Sequence, residues 1–319
     1  METVIVIVVM QKSALRAVAA AALLATPFGV ASCSSGGDQP SASSTAQAGA
    51  CPTTPVDVVV SVDQWGDIVS ELGGSCAQVK TVLASSSVDP HDYEPSPADA
   101  ATFEGAKLVV VNGAHYDEWA SKLAAGSAPD AATIDAAEVG GDTANPHVWY
   151  NPATVTAVAD AVTAELTKLA PEAGDYFAKQ RSAFTDAMKP YTDEISAIKA
   201  GASGKTYATT ESVFDYMATA VGLQNKTPDG YQAAASNEAD PSPADLDAFL
   251  KLLAAKGVDV LIYNTQTEGS VPEQIRSAAE SAGIPVVNVT ETVAPDAKSF
   301  EAWQVDQLTA LAKALGVRA

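Results

Sequence analysis

The chain has 319 residues, of which 47% are hydrophobic and 18% are charged, and its 39 acidic and 18 basic residues give a net charge of -21. This length supports two domains with substantial cores, and the composition is too apolar for a disordered chain and too evenly mixed for a polytopic membrane protein. So acidic a chain is an unlikely nucleic-acid-binding protein, because that function needs a basic face. An acidic surface suits a cationic ligand, although solubility alone also explains it.

Residues 1–33 have the pattern of a lipoprotein signal peptide. Lys12 and Arg16 precede a short apolar run, 17–30, which ends in small residues before Cys33. This ending resembles a lipobox, in which the signal peptidase cuts before the cysteine and the new N-terminus is lipidated. An ordinary cleaved signal with a chance cysteine is the alternative.

The start of translation is open between Met1 and Met10, because the apolar stretch 4–9 lies ahead of the basic residues. Residues 34–50 are rich in serine, glycine and alanine, which predicts a flexible tether between the lipid anchor and the folded protein. The predicted exported location is therefore the outer face of the cell membrane.

Three cysteines are too few for a disulfide scaffold or a cysteine zinc site. With Cys33 assigned to the lipid, Cys51 and Cys76 remain. An oxidising compartment outside the cell allows these two to form a disulfide, which would join the residues that precede the first two strands. Two free thiols are the alternative.

Short β-branched runs alternate with helix signals over 51–169. Strands are predicted at 56–62, 79–83 and 108–111, and helices at 64–72, from Ser96 onwards and over 152–169. The alternation predicts a mostly parallel sheet with helices on both faces. Residues 170–200 follow with the periodicity of one helical face, which Pro190 should kink or break.

The alternation of strands and helices resumes over 201–319, with predicted strands at 207–209, 258–263 and 286–289. The sequence Pro-Ser-Pro-Ala-Asp occurs at 95–99 and again at 241–245, each time ahead of a strand that runs into an asparagine. We therefore expect an α/β fold of two similar lobes, 51–169 and 201–319, joined by one long rigid helix over 170–200. The default ligand site of such a fold is the cleft at the carboxyl ends of the strands.

The chain has three histidines, and two of them suggest metal ligands. His91 and His147 each follow a proline in an aromatic-flanked loop of the first lobe, and proline fixes the backbone that aims the ring. A solvated loop histidine is the simpler interpretation of either one alone. We expect His115 to be a rim residue and not a ligand.

Two carboxylates would balance the charge of a divalent ion held by two neutral imidazoles. Glu211 follows a predicted strand of the second lobe and lies in the first turn of a predicted helix, where the helix dipole favours the ionised form. Glu291 follows the last predicted strand. Glu268 is the rival for the fourth position, and each acid also has an ordinary structural interpretation.

These motifs together resemble the zinc/manganese-type solute receptors of bacterial ABC importers, from about residue 56 to the C-terminus. The matching segments are DPHDYEPSPAD at 89–99, NPHVWYNP at 145–152, TTESVFDYMATAVGL at 209–223, LIYNTQTEG at 261–269 and VTETVAP at 289–295. The fourth ligand of that family is usually aspartate, whereas the matching residue here is Glu291.

The resemblance implies a receptor, not an enzyme, that holds a divalent ion between its lobes. It would deliver the ion to a membrane permease that is powered by a separate ATPase, and we expect it to act as a monomer. The implied ligands are His91, His147, Glu211 and Glu291. Glu211 stands where many zinc-type members have a third histidine, and a carboxylate-rich set shifts the preference toward Mn²⁺, with Zn²⁺ close behind and Fe²⁺ as a further option.

Two other functions remain open from the residues alone. A metallohydrolase would keep one coordination position open for water beside a general base, whereas four protein ligands would close the site. A surface adhesin, or a receptor for a larger organic ligand, would need no metal.

Overall fold

The computed structural model describes residues 49–84, 93–237, 239–267 and 269–317. These residues fall within one compact unit, Gln47–Ala319. The predicted signal peptide with Cys33, most of the predicted tether, His91 and Glu268 lie outside the described residues. Within the described ranges, no helix is both long enough and apolar enough to cross a membrane.

The first half of the described chain forms a parallel sheet in the order β2-β1-β3-β4. Its strands are β1 (Val56–Val62), β2 (Ala77–Leu83), β3 (Leu108–Val111) and β4 (Ala132–Asp135). Every residue of β1 except Asp57 is buried, as expected for a central strand covered on both faces. The helices of this half are α1 (Asp63–Gly73), α2 (Pro97–Thr102), α3 (Glu118–Ser127), α4 (Ala136–Gly140) and α5 (Pro152–Leu169).

The second half repeats this arrangement with the order β6-β5-β7-β8, again parallel. Its strands are β5 (Thr206–Thr209), β6 (Gln224–Asn225), β7 (Val260–Asn264) and β8 (Val286–Val289). Its helices are α8 (Asp215–Ala220), α9 (Asp229–Ala235), α10 (Pro243–Ala254), α11 (Ser270–Ala282) and α12 (Phe300–Leu315). The predicted α/β architecture with two similar parallel sheets is confirmed.

Two strands were not predicted from the sequence. β4 has the sequence Ala-Thr-Ile-Asp with one fully buried position, and β6 has two residues. Both lie at sheet edges, where one neighbouring strand is enough to define them and a buried β-branched run is not required.

The repeated Pro-Ser-Pro-Ala-Asp sequence begins equivalent helices, as predicted. Ser96 caps α2 by accepting the backbone N–H of Asp99 at 3.3 Å, and Ser242 caps α10 by accepting that of Asp245 at 3.2 Å. Each serine satisfies a backbone donor that has no partner within the helix. Each helix precedes the central strand, β3 or β7, whose end contributes to the site described below.

The predicted linking helix is two helices. α6 (Gly174–Ala187) ends before Met188, and α7 (Lys189–Gly201) begins after it with Pro190 in its first turn. A proline has no N–H to continue the hydrogen bonds of α6 and its ring clashes with the preceding turn, so it fits the start of a new helix. The expectation of one long rigid helix is therefore corrected, while the expected break at Pro190 is confirmed.

The core continues from one sheet into the other. Buried residues of β1 and β3 belong to the same apolar cluster as Val260, Ile262, Val287 and Val289 of the second sheet. α12 packs against α7 and β8 and also touches α1. This continuity holds the two sheets in one unit, and the lobe boundaries 51–169, 170–200 and 201–319 stay a prediction.

The predicted disulfide between Cys51 and Cys76 is present, with a Cα–Cα distance of 5.0 Å. Cys76 directly precedes β2, and Cys51 lies shortly before β1. The bond therefore joins the beginnings of two adjacent strands.

Reducing the disulfide is expected to lower the melting temperature by several degrees. Closing a loop between residues 25 positions apart restricts the unfolded chain, a stabilisation of about 3 kcal/mol. Thermal unfolding of residues 51–319 with and without reductant measures the effect. The control is the double variant Cys51→Ser/Cys76→Ser, whose melting should not respond to reductant. An unchanged melting temperature in fully reduced wild-type protein would contradict the prediction.

Candidate metal centre

The carboxyl ends of strands from both sheets meet at one place. The first sheet contributes Gln64, just after β1, and Tyr116, beyond β3. The second contributes Glu211 after β5, Asn264 at the end of β7 and Glu291 after β8. Hydrogen bonds cross between the sheets, because Gln64 Nε2 donates to the Glu291 carbonyl at 2.5 Å and Tyr116 Oη donates to Glu291 Oε2 at 3.2 Å.

Hydrogen bonds fix both the backbone and the side chain of Glu291. Its N–H donates to Gln266 Oε1 at 2.6 Å, and the next residue, Thr292, donates to the same oxygen at 3.0 Å. The side chain is buried, with the residue 7% exposed. These bonds direct the carboxylate from the end of β8 toward the first sheet.

His147 faces Glu291 across the two sheets, with its Nε2 3.7 Å from Glu291 Oε2. Its Nδ1 lies 2.7 Å from Asn145 Oδ1, which also accepts the backbone N–H of His147 at 3.0 Å. Because an amide oxygen can only accept, Nδ1 carries the proton in the neutral ring. The Nε2 lone pair of the neutral imidazole therefore points toward Glu291, as metal ligation requires.

Asn145 also joins the two halves of the site. Its Nδ2 donates to the carbonyl of Ser212 at 2.8 Å, and its own carbonyl accepts from Tyr216 Oη at 3.2 Å. Ser212 follows Glu211 directly, so the loop that carries His147 is bonded to the loop that carries Glu211.

Glu211 lies outside the helix in which the sequence placed it. It precedes the short 3₁₀ helix Ser212–Phe214, and α8 begins only at Asp215. Burial raises the pKa of Glu211, the hydrogen bond from Asn264 opposes this rise, and the charge of Glu291 adds to it. The expected helix-dipole stabilisation of its ionised form is thus replaced by a cost of desolvation, which a bound cation would offset.

Asn264 bonds both acidic side chains of the site. Its Nδ2 lies 2.6 Å from Glu211 Oε2 and 2.8 Å from Glu291 Oε1. Both carboxylate oxygens bond the same nitrogen, so the distance between them is at most the sum of the two N–O distances. The tertiary structure therefore brings two acids from different strands side by side.

Of the four predicted ligands, His147 lies beside Glu291, and Glu211 shares Asn264 with Glu291. Among the described residues, however, these three do not each place a ligand atom within 4.8 Å of the other two. Two donors about 2.1 Å from one ion at the tetrahedral angle lie roughly 3.4 Å apart, which is close to the observed separation of His147 and Glu291. Glu211 and Glu291 are kept apart by the Asn264 amide between them. Both His91 and the rival ligand Glu268 lie outside the described residues.

His115 is exposed, as expected for a rim residue. Its Nδ1 lies 2.6 Å from Glu118 Oε1, with 87% of its side chain accessible. It occupies a turn in which Gly113, Ala114 and His115 all have positive φ. A Cβ on Gly113 would collide with the Asp135 carboxylate, and this tight turn returns the next residue, Tyr116, to the site.

The sequence analysis missed the residues that orient the ligands, which are Gln64, Tyr116, Asn145, Asn264 and Gln266. Asn264 carried a signal, since it ends a buried strand and repeats the position of Asn112 in the first half. Asn145 and Gln266 lie within two of the motif segments, and Asn145 is two residues from His147. Gln64 and Tyr116 carried no signal, because their partner Glu291 lies in a distant segment of the chain.

The sequence pattern of the family described as zinc-uptake complex component A, periplasmic, matches residues 58–314. The high-affinity zinc uptake system protein ZnuA of Bacillus subtilis (strain 168) is 26% identical over 231 residues, or 66% of this chain and 71% of that protein. The manganese-binding lipoprotein MntA of the same organism is 26% identical over 253 residues, or 74% of this chain and 80% of that protein.

Among solved structures, FpvC of Pseudomonas aeruginosa in complex with Mn²⁺ superposes with a TM-score of 0.69 at 19% identity. The match covers 82% of this chain and 99% of that one. At this identity the likeness shows a shared fold. The resemblance inferred from the sequence motifs is confirmed by the family match.

A second group of carboxylates lies away from the predicted ligands. In the described part of the chain, the ligand atoms of Asp67, Glu71 and Glu301 all lie within 4.8 Å of one another. Asp67 and Glu71 belong to α1, and Glu301 belongs to α12, so the cluster lies where the two halves touch. Burial raises the pKa of Glu71 to about 8, with the charges of Glu301 and Asp67 adding to the rise.

This cluster predicts a stability that falls as the pH rises. The folded protein binds the Glu71 proton more tightly than the unfolded chain, so the stabilisation is complete below pH 4.5 and is lost as the pH passes about 8. Glu71→Gln mimics the protonated form and should melt close to wild type at pH 5. At pH 8 it should melt higher by a few degrees, the shift expected from roughly 1 kcal/mol.

Thermal melts at both pH values compare wild type with Glu71→Gln and with the exposed control Glu104→Gln. The control should keep one constant difference from wild type at the two pH values. If Glu71→Gln behaves in the same way as the control, Glu71 does not titrate with a raised pKa.

Proposed function

Because this chain belongs to the zinc-uptake complex component A family, we propose that it is an extracytoplasmic receptor that captures a divalent transition-metal ion between its two lobes. The family match at residues 58–314 includes His91, His147, Glu211 and Glu291, which we propose as the four ligands. The ion is the cargo of this receptor and not a resident cofactor.

The observation that carries the proposal is the pairing of His147 with Glu291 across the two sheets. An imidazole with its lone pair directed at a buried carboxylate oxygen 3.7 Å away leaves a gap that suits one ion better than a direct hydrogen bond. Glu211 adds a second, partly buried acid beside Glu291. Two such acids near one another are costly unless a cation neutralises them.

Manganese is the favoured cargo. A set of two imidazoles and two carboxylates is harder than one with three imidazoles, and hard oxygen donors suit Mn²⁺. Zn²⁺ remains a candidate since it binds such sites tightly, and Fe²⁺ is a further one. The relatives support this range, because one is named for zinc and another for manganese.

We propose a binding role without catalysis. Four protein ligands complete a tetrahedral sphere, whereas a hydrolytic metal site keeps one position open for water. Release of the ion then requires the two lobes to separate, and we propose that an ABC permease with its own ATPase receives it. The receptor would act as a monomer held at the outer face of the membrane by a lipid on Cys33.

Metal binding should stabilise the folded protein by mass action. At a free Mn²⁺ or Zn²⁺ concentration 100 times Kd, the gain is about 2.7 kcal/mol. Thermal melts of metal-stripped residues 51–319, with and without each ion, measure it. His91→Ala, His147→Ala, Glu211→Ala and Glu291→Ala should each remove most of this gain, because each deletes a ligand.

The matched controls are His115→Ala and Glu104→Ala, which remove an exposed histidine and an exposed glutamate. Both should keep the metal-dependent gain. An unchanged titration in His91→Ala and Glu211→Ala would refute the ligand assignment. A wild-type protein whose melting ignores both the ions and chelators would point to an adhesin or a receptor for an organic ligand.

The lipid anchor is tested in cells. Cys33→Ala should move the protein from the membrane fraction to the soluble fraction, since lipidation requires the cysteine thiol. The control Cys51→Ser should stay with the membrane. Membrane retention of Cys33→Ala, measured by fractionation and by the mass of the mature N-terminus, would rule out this anchor.

A further inference from the structure

Asn264 is a neutral side chain placed between the two acids of the proposed site. The residue is 2% exposed, and its orientation is fixed because its Oδ1 accepts the backbone N–H of Gln266 at 3.1 Å. Nδ2 must therefore face Glu211 and Glu291. A primary amide has two N–H donors, and the two short contacts to the carboxylates use both.

Each acid consequently has one oxygen committed to Asn264. These oxygens are Oε2 of Glu211 and Oε1 of Glu291. The amide nitrogen occupies the space in front of them, so a metal ion cannot approach from that side. For Glu291 the other oxygen, Oε2, is the one that faces His147.

We propose that Asn264 is a positioning residue that restricts Glu211 and Glu291 to one ligating oxygen each. The inference rests on the proposed function, and it deepens it by fixing the coordination number at four protein donors. Four donors match the tetrahedral preference of Zn²⁺, whereas Mn²⁺ favours a larger, oxygen-rich sphere that bidentate carboxylates would supply. Asn264 therefore weakens the preference for Mn²⁺ over Zn²⁺ that the carboxylate ligands create.

Asn112 shows that an asparagine at this position of the fold need not act in this way. It follows β3 as Asn264 ends β7, but its Oδ1 accepts Trp65 Nε1 at 2.9 Å. Its Nδ2 donates to the backbone carbonyls of Gly113 and Pro146 at 3.1 and 2.8 Å. Asn112 is therefore bonded to the scaffold, including the residue directly before His147, and these bonds reach neither acid.

The test compares wild type, Asn264→Leu, Asn264→Ser and the exposed control His115→Ala. Leucine keeps the approximate size of asparagine without a donor, and serine retains a single hydroxyl proton that can serve only one carboxylate. Competition titrations at one pH give the Mn²⁺ and Zn²⁺ affinities. We expect the ratio of Mn²⁺ to Zn²⁺ affinity to rise roughly tenfold in both Asn264 variants, the lower end of the effects of outer-shell partners. His115→Ala should leave the ratio unchanged.

Co²⁺ provides a readout of coordination number, because four-coordinate Co²⁺ absorbs visible light much more strongly than six-coordinate Co²⁺. Wild type should give the strong spectrum and Asn264→Leu a weaker one. A weak wild-type spectrum overturns the inference even if no variant folds. An unchanged affinity ratio and spectrum in the folded Asn264 variants overturn it as well, and leave the proposed function intact. If wild type binds none of Mn²⁺, Zn²⁺ and Co²⁺, the proposed function itself fails.

Discussion

Two carboxylates that lie side by side, one buried and one partly buried, are the constraint around which this site is organised. Glu211 and Glu291 come from strand ends far apart in the chain, and each loses hydration on folding while facing the charge of the other. The fold offsets part of this cost with the two N–H donors of Asn264, both of which bond a carboxylate. The remainder of the cost is the reason that a cation is favoured there.

The first sheet completes this arrangement with uncharged hydrogen-bond donors to Glu291. Tyr116 and Gln64 donate hydrogen bonds to it, and Asn145 orients the ring of His147 beside it. Since Tyr116 and Gln64 are not cations, they orient Glu291 without neutralising it.

The contact between the halves is itself acidic. Asp67 and Glu71 on α1 meet Glu301 on α12, and the cluster retains a proton to a higher pH than an ordinary carboxyl group. The candidate metal centre and this cluster both lie where the two halves meet. The apolar core that runs through both sheets contributes the larger part of the free energy that holds the two halves together.

The sequence by itself predicted the inner strands of both sheets and several of the helices. Buried β-branched runs identified the central strands, Ser-Pro-x-Asp identified two helix starts, and Pro190 identified the break between α6 and α7, since each of these signals is local. Histidines after prolines and acids after strands gave the proposed donor types, and the two cysteines predicted the disulfide. Only the tertiary structure decided that Asn264 lies between Glu211 and Glu291, and that Glu211 precedes its helix and is partly buried. Asn264 bonds residues 53 and 27 positions away, and no local pattern encodes which strand ends will meet.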